Sequence, residues 1–243
     1  MSTAPPGERR AILLAAVKEA FGPPGVILAA SFVGFGSLVR ESDLSLWVGL
    51  ASTVLIWALP GQVVMAELYA VGASLLVVGA AVLLTNARLL PMTVTLLPWL
   101  RGPGVPAWKL YLAGHFVAVT AWANSMRLVP TLPEGQRLAW FFTFAGTLWA
   151  LSILGTAVGY HLAAAVPQPV TLALVFLNPV YFLLLLIGDL SQRPKVIAMA
   201  AGAILGPLFH LLDPDWGLLL TGLVAGSVGF AAGYRRAKGG GNA

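Results

Sequence analysis

Apolar residues fill most of the chain in long runs, and short polar stretches separate one run from the next. Between residues 11 and 234 the pattern gives eight apolar segments, most of them close to the ~20 residues that a helix needs to cross a bilayer. A helix satisfies its own backbone hydrogen bonds in lipid. The pattern therefore predicts an all-α polytopic membrane protein with about seven to eight transmembrane segments.

Proline and glycine interrupt several of these segments. The first segment, 11–39, is interrupted at 22–25, and the second, 44–71, is interrupted at Pro60 and Gly61. Proline lacks a backbone donor and begins a helix more readily than it continues one. We therefore predict discontinuous helices at these Pro/Gly breaks. A count of eight places the basic residues Arg101 and Lys109 outside, so either the positive-inside rule is violated once or one of the first three segments is re-entrant. The other segments are predicted at 74–100, 110–128, 138–166, 170–188, 196–212 and 216–234.

Composition excludes a soluble domain. Hydrophobic residues make up 58% of the chain and charged residues 9%, whereas soluble domains carry about 25% charged residues. We predict one integral membrane domain over residues 1–243, multi-pass in the inner or plasma membrane. The net charge of +5 comes from basic residues at the ends of apolar runs, so it indicates membrane orientation with both termini cytoplasmic and no nucleic-acid partner.

Polar side chains follow the interruption at Pro60 and Gly61. Gln62 and Glu67 come next, and Asn86 and Arg88 lie near the middle of the third segment. N–H groups at a helix end suit a carboxylate, and carbonyl or carboxylate oxygens suit an ammonium, so such residues can bind a zwitterion. The predicted substrate-binding residues are Pro60, Gly61, Gln62, Asn86 and Arg88.

Glu67 has three interpretations. It is the coupling group of the site, it forms a structural ion pair with Arg88 between neighbouring helices, or it lies close to the membrane interface. Gln62 and Asn86 have a structural alternative too, as interhelical hydrogen-bonding residues.

The fourth segment carries His115 and Asn124. A buried histidine with a pKa near neutrality can relay protons, so both residues are candidate coupling groups. The alternative for His115 is a position near the lipid headgroups, six residues after Lys109. Of the tryptophans, Trp57, Trp122 and Trp149 lie deepest within their segments, where one can line an apolar pocket or simply pack.

Glycine residues recur along one face of the last segment, and we predict that this face packs closely against another helix, within the protein or in a partner subunit. Its members are Gly222, Gly226, Gly229 and Gly233. Elsewhere the sequence shows no nucleophile-base arrangement, no phosphate or dinucleotide fingerprint and no metal-ligand spacing, and it contains no cysteine. We therefore expect no enzymatic activity, no cofactor and no metal.

Four short motifs resemble the AzlC family. They lie at 59–62, 72–74, 84–88 and 97–101, and the resemblance covers about 21–159. Members of this family are the large subunits of branched-chain amino-acid exporters and usually work with a small four-span AzlD-like membrane subunit. The resemblance implies an AzlC-like core at about 21–160, with additional membrane helices at about 169–234.

The sequence departs from the family pattern at three places. Pro60 and Gly61 stand where Gly-Ala-Ser is common, Leu89 stands where His commonly follows Asn-x-Arg, and 120–124 lacks the frequent acidic pair. The resemblance implies a secondary transporter that exports branched-chain or similar apolar amino acids. The alternative is a membrane assembly subunit that does not transport.

Overall fold

The computed structural model describes residues 6–165, 167–188, 193–212 and 217–239. Within them every regular element is helical, which confirms the all-α prediction. The helices are α1 (Pro6–Ala20), α2 (Pro23–Glu41), α3 (Leu46–Leu55), α4 (Leu59–Ala70), α5 (Leu75–Asn86), α6 (Leu89–Leu100), α7 (Ala107–His115), α8 (Val119–Leu128), a 3-10 turn (Val129–Thr131), α9 (Glu134–Leu162), α10 (Gln168–Gly188), α11 (Arg193–Leu212) and α12 (Gly217–Gly239).

Some of these helices have the length and composition of membrane spans. Among the described residues, α2 and α9 are individually long and apolar enough to cross a bilayer. The pair α5 and α6 reaches that length together but bends by 47° between the two helices. The other apolar stretches within the described residues are 10–17 residues long, so the count of seven to eight transmembrane segments stays a prediction.

The chain forms two compact units, Met1–Pro179 and Val180–Ala243. In the first unit α9 is the central helix, and α2 lies closely against it because α9 places glycine at the crossing. A Cβ at Gly155 would lie 2.7 Å from the carbonyl oxygen of Ala29, and one at Gly159 would overlap the backbone of Val33. Glycine therefore permits an approach of α2 to α9 that any side chain would prevent.

The second predicted segment is discontinuous, but the interruption was predicted at the wrong place. The helix ends at Leu55, residues 56–58 are not helical, and α4 begins at Leu59 with Pro60 in its first turn. The reason is that Pro60 has no backbone N–H to donate to the carbonyl of Ile56, four residues earlier. In a continuous helix its ring would also collide with that carbonyl. Proline thus begins the second helix, and the break falls before it.

The third predicted segment is divided in the same way. Asn86 ends α5, and Arg88 precedes α6, so these two residues flank a bend instead of lying within one helix. Pro91 is the third residue of α6 and has no N–H for the carbonyl of Ala87. Both residues were predicted near the middle of one segment, and no bend was predicted between them.

The fourth predicted segment is also broken, which the sequence did not indicate. The short helix α7 ends at His115, and α8 begins at Val119 after an extended residue, Ala118. No proline lies in this break, and Gly114 is the nearest glycine. Besides the bent pair α5/α6, the first unit therefore contains two helices that are interrupted by an extended residue, α3/α4 and α7/α8, beside the continuous α9.

Among the described residues, the one ion pair joins Arg127 of α8 to Glu19 of α1, at 2.6 Å. The side chains are 64% and 34% exposed, and such pairs contribute little because solvent screens them. We expect Arg127→Gln to lower the free energy of unfolding by less than about 1 kcal/mol. Thermal unfolding in detergent measures this, and the difference should vanish at high salt; a large loss would show that the pair is structurally essential.

In the second unit, α12 packs on α11. Gly202 faces Ala225 and Gly206 faces Thr221, and a Cβ at either glycine would lie 3.8 Å from the neighbouring side chain. The predicted glycine face is turned elsewhere: no described atom lies within 4 Å of a Cβ at Gly222 or Gly226. Towards α11, α12 uses Ala225 and Thr221 instead, and the packing role of Gly222 and Gly226 stays a prediction.

The rest of the predicted glycine face has a mixed outcome. Gly229 is buried, and Gly233 lies in α12, but its surroundings fall outside the described part of the chain.

Candidate functional site

Gln62 lies in the first turn of α4, just after the break, and its side chain is completely buried. Its Nε2 donates to Ser52 Oγ at 3.0 Å and to Thr53 Oγ1 at 3.1 Å, both on α3. The two hydroxyls donate in turn to the carbonyl oxygen of Gly49. This network connects the two halves of the interrupted helix across the break.

The same half-helix is attached to α9 by two further hydrogen bonds. Thr53 Oγ1 lies 3.0 Å from Thr156 Oγ1, and Trp57 Nε1 donates to Ser152 Oγ at 3.0 Å. Ser152 and Thr156 are four residues apart on α9 and so lie on one face. All four side chains are buried, so α9 provides a polar strip that holds the first break.

Trp57 has an unusual backbone conformation in the break, with a φ of 40°. A bulky residue in the left-handed region costs on the order of 1–3 kcal/mol, and such residues concentrate at functional sites. Its side chain is 2% exposed and hydrogen-bonded to Ser152, which holds it in place. This tryptophan was one of the three predicted to lie deep in their segments.

The two helix breaks meet. The ring of Trp57 packs edge-on against Phe116 of the second break, with centroids 6.1 Å apart. Phe116 also packs against Phe142 and Trp149 of α9, at 5.9 and 5.8 Å. We call these four residues the break junction. These residues are far apart in the chain, so the sequence does not show that they form a cluster. Its one indication was that Trp57 and Trp149 lie deep within their segments.

Asn86 packs against the first turn of α4. A Cβ at Gly61 would overlap the carboxamide of Asn86 and lie 2.8 Å from its Cγ. The absence of a side chain at Gly61 thus creates the space that the Asn86 amide fills. The structure brings Gly61, Gln62 and Asn86 together, as the sequence predicted for these substrate-binding candidates.

Arg88 and Glu67 are exposed, and Pro60 is half-buried in the first turn of α4. The predicted ion pair between Glu67 and Arg88 does not form, because within the described residues only Arg127 and Glu19 are paired. Glu67 follows Gln62 by five residues, which turns it about 140° away around α4. It therefore lies on a different face of that helix from Gln62.

His115 and Asn124 lie on different halves of the second interrupted helix. His115 is the exposed last residue of α7, and its ring is edge-on to Phe116 at 5.4 Å. Asn124 is buried in α8, donates through Nδ2 to the carbonyl of Thr120 at 2.9 Å and accepts from Arg127. Of these two coupling candidates, His115 is the one beside a break.

Several buried polar atoms near the breaks have no hydrogen-bond partner within the described chain. Two are amide oxygens, Gln62 Oε1 and Asn86 Oδ1, and one is the indole donor Trp149 Nε1. Leaving such a group unpaired costs about 1–3 kcal/mol, so each requires an explanation. Each of these groups can be satisfied by a bound polar molecule.

Interrupted helices that meet at unpaired polar groups are typical of membrane transporters, in which broken helices form the substrate site. An all-helical chain with spans of membrane length and interrupted helices is consistent with a helical membrane protein.

The particular family follows from comparison with known proteins. The family model described as AzlC protein matches residues 23–166, more than half of the chain, and this protein belongs to the AzlC family. This is a family of branched-chain amino-acid transport proteins, which are not enzymes. A search of curated proteins and a search of solved structures each found no match.

Proposed function

We propose that this protein is a secondary transporter that exports branched-chain or similar apolar amino acids. The observation that carries the proposal is the meeting of two interrupted helices, through Trp57 and Phe116, against the continuous helix α9. Interrupted helices expose backbone groups within the protein, where a zwitterionic substrate can use them.

The polar end of an amino acid matches the groups near the first break. The first N–H groups of a helix have no intrahelical acceptor and carry partial positive charge, so the start of α4 suits the carboxylate. Gln62 and Asn86 provide oxygen acceptors, and Arg88 is a second group for the carboxylate. Glu67 and His115 remain the candidate coupling groups, His115 because it borders the second break.

The apolar side chain of the substrate matches the break junction. Its aromatic rings offer a large apolar surface, and the buried Nε1 of Trp149 lacks an acceptor there. Branched aliphatic side chains pack well on such rings and carry no groups that need hydrogen bonds. This explains a preference for valine, leucine and isoleucine over polar amino acids.

The proposal includes a membrane arrangement and a partner. About seven to eight segments cross the inner or plasma membrane with both termini in the cytoplasm, as the basic residues favour. AzlC proteins are often paired with AzlD proteins, so the complete transporter contains a small four-span membrane subunit.

Export is tested in cells that are fed a valine-containing dipeptide. Expression of this protein should reduce the intracellular accumulation of valine relative to an empty vector, alone or with a small four-span subunit. Phe116→Ala should abolish most of the effect, whereas Phe21→Ala, at a residue that is 60% exposed, should not. Unchanged valine accumulation with and without the subunit would refute the proposal.

A second function, that of an assembly subunit without transport activity, is favoured by the open glycine positions on α12. Native mass spectrometry of the detergent-solubilised protein distinguishes the two functions. A stable partner together with no stabilisation by any amino acid would support assembly alone.

A further inference from the structure

We propose that the amide oxygens of Gln62 and Asn86 form a pair of acceptors for a compact monovalent cationic group, either the ammonium of the substrate or an alkali cation. If the bound group is the substrate ammonium, this inference rests on the proposed transport function. If it is an alkali cation, the inference is independent of that function. Both oxygens are buried and have no partner in the described chain.

The hydrogen-bond network fixes the orientation of the Gln62 amide. Ser52 Oγ and Thr53 Oγ1 donate their protons to the Gly49 carbonyl, so each hydroxyl has only lone pairs left for Gln62. The amide accordingly presents Nε2 to both hydroxyls. Its Oε1 is left without a donor in the described chain.

Asn86 places a second amide beside the same turn of α4. Its carboxamide fills the space over Gly61, the residue before Gln62, and makes no hydrogen bond through its buried Oδ1. The Asn86 amide on α5 thus contacts the position that precedes Gln62 on α4. A cationic donor that reaches both oxygens satisfies two unpaired acceptors at once. The two oxygens cannot satisfy each other, because both are acceptors.

The charges around the pair favour a small cation of low charge. Amide oxygens are neutral dipoles that can replace part of the hydration shell of an alkali cation or accept from an ammonium. The nearest acidic residue along α4 is Glu67, which is exposed on a different face. Binding by neutral amide oxygens, with no acidic side chain contributing, is weak enough to be reversible. The two oxygens themselves repel anions, so the substrate carboxylate is left to the unpaired N–H groups that begin α4.

The binding experiment uses the purified full-length protein in detergent and measures thermal shifts and ligand affinity. The probes are L-valine, its 2-oxo acid, which lacks the ammonium, isobutylamine, which lacks the carboxylate, and sodium chloride against choline chloride. If the pair binds the ammonium, valine and isobutylamine should stabilise the protein and the 2-oxo acid should not. If the pair binds an alkali cation, sodium chloride should stabilise the protein more than choline chloride does.

Two substitutions at position 86 with opposite expected effects separate binding from a structural role. Asn86→Leu should weaken binding of the stabilising probe about tenfold, because one acceptor is lost. Asn86→Asp should strengthen it, because a negative charge replaces a dipole at the same position. Gln62→Leu should weaken binding as Asn86→Leu does, with Ser52 and Thr53 still bonded to Gly49.

The outcomes are distinguishable from failure of the proposed function. Equal responses of the wild type, Asn86→Leu and Asn86→Asp to every probe would overturn the inference, since a trapped water alone then satisfies the oxygens. A sodium response that Asn86→Leu removes would support the pair even if cells show no amino-acid export. A valine response that no substitution at 62 or 86 changes would support the transporter and refute the pair.

Discussion

Replacing Gly159 with alanine should destabilise the protein strongly, whereas the same change at Gly146 on the same helix should stabilise it slightly. A Cβ at position 159 would overlap the backbone of Val33, which cannot rotate away, so α2 must move off α9. Overpacking of this kind costs about 1–3 kcal/mol or more. Because α2 and α9 are the two long helices of the first unit, the loss should be cooperative.

Gly146 provides a matched control. No described atom lies within 4 Å of a Cβ there, and alanine in a helix is better than glycine by about 0.5–1 kcal/mol. Thermal unfolding in detergent should show a melting temperature lower by roughly 5 °C for Gly159→Ala and unchanged or higher for Gly146→Ala. Equal melting temperatures for the two variants would contradict the close crossing of α2 and α9.

Replacing Gly61 with alanine should impair transport far more than stability. The new Cβ would take the space of the Asn86 carboxamide, which is the movable end of a side chain, so the fold can adapt. The amide oxygen of Asn86 then moves away from Gln62. We expect export to fall about tenfold, the equivalent of one lost hydrogen bond to a buried group.

Gly79 on α5 is the control for this substitution, because a Cβ there has no described neighbour within 4 Å. Gly79→Ala should leave export unchanged. The measurement is valine accumulation in dipeptide-fed cells, together with the melting temperature of each purified variant. A Gly61→Ala protein that exports valine normally would place the substrate site elsewhere.

The sequence predicted the helical class and the approximate segments, because these depend on local composition. The contact of Asn86 with Gly61 agrees with the predicted group of residues, whereas their role in binding substrate stays a prediction. It located the breaks poorly, because a proline marks the first turn of a helix and not the end of the one before. Pro60 begins α4 in this way, whereas Pro98 and Pro207 lie inside continuous helices. Sequence position alone does not distinguish the two situations.

The second break and its contacts were beyond sequence reasoning for a different reason. Phe116 lies in a stretch without proline, and its partners Trp57 and Trp149 are distant in the chain. Only the tertiary structure shows that the breaks adjoin. The hydroxyls of Ser152 and Thr156 were a missed signal, since polar residues four apart in an apolar helix indicate a polar face.

The contacts of α9 on its two sides differ in how easily they can separate. On the side of α2, the backbone of α9 at Gly155 and Gly159 contacts the backbone of α2 directly, so no side chain can rotate to let the helices slide. Towards the first break it is held by hydrogen bonds between neutral side chains, each worth only about 0.5–1.5 kcal/mol net. Helices α2 and α9 therefore form a stiff frame, and the interrupted helix α3/α4 is the part that can rock against it.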